Sequence, residues 1–536
     1  MQQGASEGIF SGLTRGVPGV SPRSMRPAAS TFEHPNDIAA AASLKYSEDK
    51  IFLGVVGADI QRCPQRGERY AQGGKMIGVA DDRHVITIAG SRAGKGRAAV
   101  IPNMLRYAGS SIAIDPKGEL SRETAAVRSK QLGQRVHIVD PFGVSGSDAE
   151  EFRCGFNPLD ILTPESPTLV VDCSLIADAL IVSDGNDPHW DESARSLVET
   201  LLLHVVLSPG YEDRRNLVTV RELLTRGAIV EPSDTSITGM QALWLEIQKC
   251  AFELQDDADF ESEEVLRTHK LELAGLLEAG AADFFERPEN ERGSVLSTAR
   301  RHLKFLDYPQ LRHSLGQSSS ENSFRLNELK TVPEGMTIYL CLPAGRMGTC
   351  ARWFRLFINL ALEAMERTVS SPATGSPVLF LLDEFATLGH MRQIEDAAGQ
   401  IAGFGVKLWP ILQDLGQLKA LYKDRWETFM GNAGIIQLFG NNDLTTLEWI
   451  SKRLGSTTLE QLSASNVSPK AREAGTMGAG ESYAPHTVSL LEPDEVSMVF
   501  GRADPFLRQL IIRAGFAPMI LQRAFYDKHQ GFEVSP

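Results

Sequence analysis

The sequence predicts an α/β protein: a mainly parallel sheet carrying a P-loop, interrupted by an inserted all-α domain. Three observations lead there. Short apolar runs alternate with helical patterns from Asp82 to about Asp160, and the alternation resumes at Met336. The stretch between has helical periodicity and almost no strand signal. Alternation of this kind means parallel strands covered by helices on both faces. A chain of 536 residues also exceeds what one core usually supports, so two or three substructures are expected.

In chain order, residues 1–45 are expected to be a disordered arm, because they open with a Gly, Ser, Pro and Arg-rich stretch. The first part of a nucleotide-binding domain follows over 46–161. His84 to Ile88 is an apolar strand running into a Gly-rich turn, and Ala98 to Tyr107 has helical spacing. Ser111 to Ile114 is a second strand, Glu119 to Leu132 a polar helix, and Arg135 to Val139 a third strand. Ligands of such sheets sit at the carboxyl ends of the strands, where Asp115 and Asp140 both fall. The all-α insertion is expected over 162–323. Leu169 to Ile181, Ser193 to Val206, Met240 to Leu254, Val265 to Leu277 and Val295 to Leu306 all suit amphipathic helices. Its acidic run, Asp256 to Glu264, reads as a solvated helix start or loop, and a docking surface for a basic partner is the sharper reading. The second part of the nucleotide-binding domain occupies 324–536. It has strands at Met336 to Cys341, Val378 to Leu382, Val406 to Leu412, Ile435 to Phe439 and near Phe506 to Ile512, and a long helix from Cys350 to Thr368. Ser463 to His486 is rich in Ser, Ala, Gly and Pro and reads as a mobile loop.

Composition narrows the function. Hydrophobic residues make up 42 % and charged residues 23 %, as in ordinary globular proteins. The net charge of −14 has the wrong sign for a protein that coats itself in nucleic acid, although a basic channel remains compatible with it. No run reaches the roughly 18 to 20 apolar residues needed to cross a bilayer. The six cysteines lack paired metal-ligand spacing and read as buried thiols of a reducing compartment.

The chemistry is concentrated in two places. Ala89-Gly90-Ser91-Arg92-Ala93-Gly94-Lys95-Gly96 follows a strand and precedes a helix, as a P-loop must, and Arg97 extends the candidate nucleotide-binding set. Small residues let backbone N–H groups curl around phosphate oxygens while the helix turns its positive end towards them. Lys95 is placed to reach the β- and γ-phosphates of ATP. Two departures stand out: Ala89 replaces the usual first Gly, and Gly96 replaces the Ser or Thr whose hydroxyl holds Mg²⁺. The second place is the apolar strand ending in Asp383 and Glu384. In P-loop enzymes the first acid holds Mg²⁺ and the second polarises the attacking water. Gln413 ends the next strand, where an amide can sense the γ-phosphate; the plainer reading is a cap beside Asp414.

With these residues in place, the sequence resembles the TraG-like coupling proteins of conjugation and type IV secretion. The matching segments are HVITIAGSRAGKG, IPNML, IDPKGEL, and VDPFG with GFNPLD, then LLDEFATLGHM, GFGVKLWPILQDLGQL and FMGNAG, within about Gly73 to Leu454. A generic P-loop protein has no reason to carry IDPKGE and QDLGQL at these places. The resemblance implies a RecA-like motor domain, an all-α domain inserted in it, hexameric rings, and ATP-fuelled DNA pumping. It also implies catalytic roles for Lys95, Asp383, Glu384 and Gln413, and Gly after the P-loop lysine is typical of the family. The partners it implies are single- or double-stranded DNA, a relaxase or other secreted proteins, and channel components. Family members usually carry membrane-spanning helices ahead of the motor. Lacking one, this chain is expected in the bacterial cytoplasm, held at the inner membrane through partners.

Two other readings compete. One is a double-stranded DNA translocase of FtsK or HerA type, against which the long helical insertion argues. The other is an adaptor that binds nucleotide but barely hydrolyses it. No cation near Lys95 within the chain evidently faces the γ-phosphate, so a neighbouring subunit is expected to supply an arginine finger; Arg392 and Arg453 are the candidates.

Overall fold

The structure is a computed structural model that describes residues 30–64, 67–182, 188–228, 239–316, 323–465 and 480–532. Its strands are β1 (Ile51–Val56), β2 (Asp59–Arg62), β3 (Arg69–Gln72), β4 (Lys75–Val79), β5 (His84–Ala89), β6 (Ser111–Asp115), β7 (Arg135–Val139) and β8 (Met336–Cys341). They continue as β9 (Val378–Leu382), β10 (Val406–Leu412), β11 (Ala433–Phe439), β12 (Ser456–Ser465), β13 (Gly480–Ser489), β14 (Arg508–Arg513) and β15 (Met519–Gln522). Eleven of them form one sheet in the order β4-β1-β15-β14-β11-β5-β10-β9-β6-β8-β7. From β11 to β7 every neighbour is parallel. The β4-β1-β15-β14 edge is antiparallel and joins the rest through β14 and β11. The chain therefore has the mainly parallel α/β architecture with a large helical insertion that its sequence pattern requires.

The strands of the parallel part are apolar throughout because both their faces are covered. Along β9, Val378, Phe380 and Leu382 point into one core while Leu379 and Leu381 point into the other, the period of two that a pleated strand imposes. Helices Ile101–Arg106 and Glu119–Lys130 cover the second face. Helix Met347–Arg367 covers the first, with Trp353, Phe354 and Phe357 fully buried. Beneath the second layer the Arg128 guanidinium is wholly buried and donates to the carbonyls of Met104, Tyr107 and Gly109 and to Gln134. A buried charge persists only when its donors are satisfied, so this residue ties the end of helix Ile101–Arg106 and the connection after it to the turn before β7.

Between β7 and β8 the described chain is helical: Leu169–Leu180, Pro188–Leu207, Leu217–Arg226, Met240–Asp259, Glu264–Phe285, Glu289–His302 and Pro309–Gly316. Helix Leu169–Leu180 packs on Met347–Arg367, so the apolar core runs unbroken from the helices to the sheet. Polar contacts cross the same seam. Arg367 pairs with Asp172, and Arg352 bonds the ring of His302 at 2.9 Å. The acidic run closes helix Met240–Asp259 and opens Glu264–Phe285.

Two expectations change here. Residues 1–29 of the expected arm lie outside the described residues, but 30–45 carry helix Pro35–Ala40 and bury Ile38 and Leu44. The expected loop over Ser463 to His486 is in part a paired ribbon: β12 and β13 run antiparallel from Ser456↔Ser489 to Ser465↔Gly480, and 466–479 lie outside the described residues. Backbone pairing made this element, and its Ser and Ala-rich side chains gave no strand signal.

Candidate nucleotide site

The site lies on the edge where the parallel strands end. Strand β5 delivers the Gly-rich loop, and its neighbours β11 and β10 run parallel to it with Phe439 opposite Ala89 and Leu412 opposite Ile88. Strand β9 lies beyond β10, so the strand ending in Gln413 separates the loop from the strand ending in Asp383. That order brings distant residues together. The Lys95 ammonium lies 3.0 Å from Asp383 Oδ1 and 3.0 Å from Glu384 Oε1. Gln413 Nε2 donates to Glu384 Oε2 at 3.2 Å.

Electrostatics at this cluster follow from partial burial and opposite charge. Burial disfavours the Lys95 ammonium, but the adjacent Asp383 and Glu384 charges outweigh it and raise the Lys95 pKa. Burial would raise the Glu384 carboxyl. The Lys95 charge and the hydrogen bonds from Lys95 and Gln413 instead hold it below the usual carboxylate range. Glu384 adopts φ 52°, a left-handed conformation uncommon outside glycine and often found at functional sites.

The loop is shaped by its neighbours. Gly90 N–H donates to Phe439 O at 3.2 Å and Ala93 N–H to Gly90 O at 3.1 Å. Arg92 takes φ 57° and Gly94 φ 90°, which curl the backbone between Ala89 and Lys95. Ser91 and Arg92 are exposed at the tip, and Gly96 opens the helix whose first turn is wide, with Ile101 N–H on Gly96 O. Arg97 turns away from the loop: its guanidinium pairs with Asp527 at 2.7 Å and with Glu68, and lies 4.5 Å over the Phe525 ring. Together with Arg92, Arg502 and Phe525 it lines a cleft of about 330 Å³ beside the loop.

Sequence reasoning missed two braces. Asn441 Nδ2 donates to Gln413 O at 3.2 Å, in the turn after β11. Arg523, 1 % exposed, donates to Ala93 O at 3.0 Å, and burial pushes its guanidinium down to about 10. Both depend on strand order, which the one-dimensional pattern does not carry; GNND after an apolar strand was the available hint for Asn441. Asp115 and Asp140 stand at the expected edge but are engaged in turns. Asp115 accepts from Ser121 N–H and Oγ at 2.8 Å each, and Asp140 from Ser145 N–H at 2.7 Å. Of the finger candidates, Arg392 is exposed on helix Arg392–Gln400, and Arg453 lines a cavity with Arg513 and Phe516 where β11 begins, opposite the loop.

A P-loop whose lysine meets paired strand-end acids across one intervening parallel strand defines a P-loop nucleotide-binding protein of RecA-like fold. The chain belongs to a family described as type IV secretory system conjugative DNA transfer, whose model matches residues 35–534. It is 27 % identical over 426 residues to the conjugal transfer protein TraG of Escherichia coli, covering 77 % of this chain and 61 % of that protein. It is 24 % identical over 457 residues to the type IV secretion system-coupling protein VirD4 of Bartonella henselae, covering 83 % and 63 %. The chain thus spans about three fifths of the curated relatives it matches. Among solved structures, the unbound conjugative coupling protein TrwBdeltaN70 superposes with a TM-score of 0.59 at 13 % identity, over 95 % of this chain and 96 % of that one. TrwB in complex with the ATP analogue ADPNP gives 0.59 at 14 % identity, over 95 % and 96 %. These likenesses concern the fold. No helix among the described residues is long and apolar enough to cross a membrane.

Proposed function

We propose that this chain is the ATP-driven motor of a coupling protein, which hands relaxase-bound DNA or protein substrates to a type IV secretion channel. The observation that carries the reading is Lys95 held between Asp383 and Glu384, with Gln413 on the same cluster. Relatives named for conjugal transfer and for secretion coupling supply the class of cargo.

The residues fit Mg²⁺ bound with nucleotide. Among the described residues no three acids, histidines or cysteines converge as a metal cage. Mg²⁺ suits that arrangement, since it keeps waters and phosphate oxygens and asks the protein for one or two carboxylates. The ion supplies charge neutralisation on the phosphates. In this reading Asp383 holds it, and the backbone from Ala89 to Gly96 cradles the phosphates. Lys95 leaves the carboxylates for the γ-phosphate, Glu384 orients and deprotonates the attacking water, and Gln413 senses the terminal phosphate through its hydrogen bond to Glu384. The working assembly is a homo-hexameric ring with DNA in its channel, at the cytoplasmic face of the inner membrane through partner proteins.

ATP turnover measured with and without single-stranded DNA tests this. Magnesium-dependent turnover that DNA stimulates is expected. Tight nucleotide binding with negligible hydrolysis under both conditions would favour the adaptor reading, which Gly96 also accommodates.

A further inference from the structure

The IDPKGE block stands at the nucleotide edge, and the catalytic roles above leave it unused. Strand β6 runs parallel to β9 with Ile114 opposite Leu382, so Asp115 and Asp383 leave the sheet side by side. Asp115 is not placed to serve a ligand. It is 3 % exposed, and its Oδ2 is taken up by Ser121 N–H and Ser121 Oγ. Its work is to close the turn Pro116–Gly118, with Gly118 N–H on Asp115 O at 3.3 Å.

That turn is held from a second side. Gly118 takes φ 62°, and a β-carbon there would meet Val144 O at 2.2 Å. The Val144 loop is itself pinned by Asp140, which accepts from Val144 N–H at 3.1 Å and Ser145 N–H at 2.7 Å. Arg122 Nη1 then bridges Lys117 O at 3.3 Å and Val144 O at 2.6 Å. The two Asp-Pro turns thus interlock, and between them they fix the backbone of one exposed residue, Lys117. No hydrogen bond or ion pair engages its ammonium among the described residues, yet its charge reaches Glu384.

We infer that Lys117 is a second cationic ligand of the nucleotide's terminal phosphate, delivered within the same chain by the interlocked turns after β6 and β7. The inference rests on the nucleotide-site reading above. Charge balance is compatible with it: with Mg²⁺ on Asp383 and Lys95 drawn to the phosphates, Glu384 is left facing an anionic terminal phosphate, and a second cation beside Glu384 offsets that repulsion. The fixed backbone sets where the flexible four-carbon stem starts, so only the side chain has to be ordered when the phosphate arrives. Lys117 therefore discriminates a nucleoside triphosphate from a diphosphate, complementing whatever cation a neighbouring subunit adds.

The test is calorimetric binding of Mg-ADP and of the Mg-bound imidodiphosphate analogue of ATP, to the unaltered chain, Lys117→Met and Lys117→Arg. Thermal melts of the three proteins should coincide, since the side chain is exposed. Lys117→Met should lose about tenfold in affinity for the triphosphate analogue, the size of one charge-assisted hydrogen bond. Its ADP affinity should stay within about twofold, and Lys117→Arg should recover most of the loss. Equal losses for both nucleotides, or no loss for either, would overturn the inference. If the unaltered chain binds neither nucleotide, the site reading itself fails and the inference falls with it.

Discussion

Gly90 and Gly440 stand back to back across the sheet edge: a β-carbon on Gly90 would come within 1.9 Å of the Gly440 carbonyl oxygen. Gly440 has φ 68°, and a β-carbon there would lie 2.4 Å from Ala93 Cβ. The P-loop therefore takes its shape from the turn after β11 as much as from its own glycines.

Gly90→Ala should consequently displace the loop rather than be absorbed by a side-chain rotation, because the obstacle is backbone. Nucleotide affinity should fall at least about tenfold, a loss of ~1.4 kcal/mol. Titration with a fluorescent ADP analogue measures it, and unchanged affinity would show that the loop tolerates the shift.

Lys95→Ala removes the ammonium from between Asp383 and Glu384 without touching the core. ATP hydrolysis should drop by about 10²-fold or more, while the circular dichroism spectrum stays that of the parent. Turnover like that of the unaltered protein would remove Lys95 from the phosphate site.

Asp383→Asn and Glu384→Gln should separate two roles. Glu384→Gln is expected to bind Mg-ATP normally and hydrolyse it about 10²-fold more slowly, having lost the group that activates water. Asp383→Asn should also weaken Mg²⁺-dependent binding. Two variants that bind and hydrolyse like the parent would make the pair ordinary strand-end acids.

His84 begins the P-loop strand and gives a pH prediction. It is 5 % exposed and its Nδ1 accepts from Leu408 N–H at 3.2 Å. Burial, and then the nearby Lys407 charge, push the imidazole down from 6.5 to about 4. Between those values the unfolded chain takes up a proton that the native imidazole refuses. Stability is therefore lost as pH falls from 6.5 towards 4, by at most about 1.4 kcal/mol per unit, and His84 adds no dependence above 6.5. His84→Asn keeps an acceptor near Nδ1 and should flatten the decline of the melting temperature over that window. A decline equally steep in both proteins would contradict the assignment.

Those residues also mark what was legible in the sequence. Strands β5 to β11 were readable because parallel strands buried on both faces become continuous apolar runs, and the Gly-rich loop and acid pair follow such runs directly. Of the antiparallel edge only β14 was readable, near Phe506 to Ile512: β1 and β4 are a run and a half-buried strand without alternating helices beside them, so nothing placed them in the sheet. Arg97 follows the P-loop in sequence, but Asp527 and Glu68, hundreds of residues and a few tens of residues away, hold its side chain. The Gly440 and Arg523 braces required knowing that β11 flanks β5 and that the chain returns through β14 and β15. Nothing in the sequence sets Lys117 apart within IDPKGE, since the charged residue of a turn is exposed by default. The residues 162–323 read as helical, and most of their helices lie where periodicity put them; the apolar core that continues from them to Trp353 and Phe357 was not legible, because it depends on how the helices dock on the sheet.

The central claim is that this chain is a DNA-stimulated, ring-forming ATPase. Its most direct test is specific ATPase activity across a protein concentration series with Mg-ATP, with and without single-stranded DNA, alongside light scattering for mass. The account predicts weak turnover from a mainly monomeric protein. DNA and Mg-ATP should then convert it to rings with activity rising with concentration, an effect that fades at high salt as phosphate contacts are screened. Specific activity that stays flat with concentration and ignores DNA would contradict it.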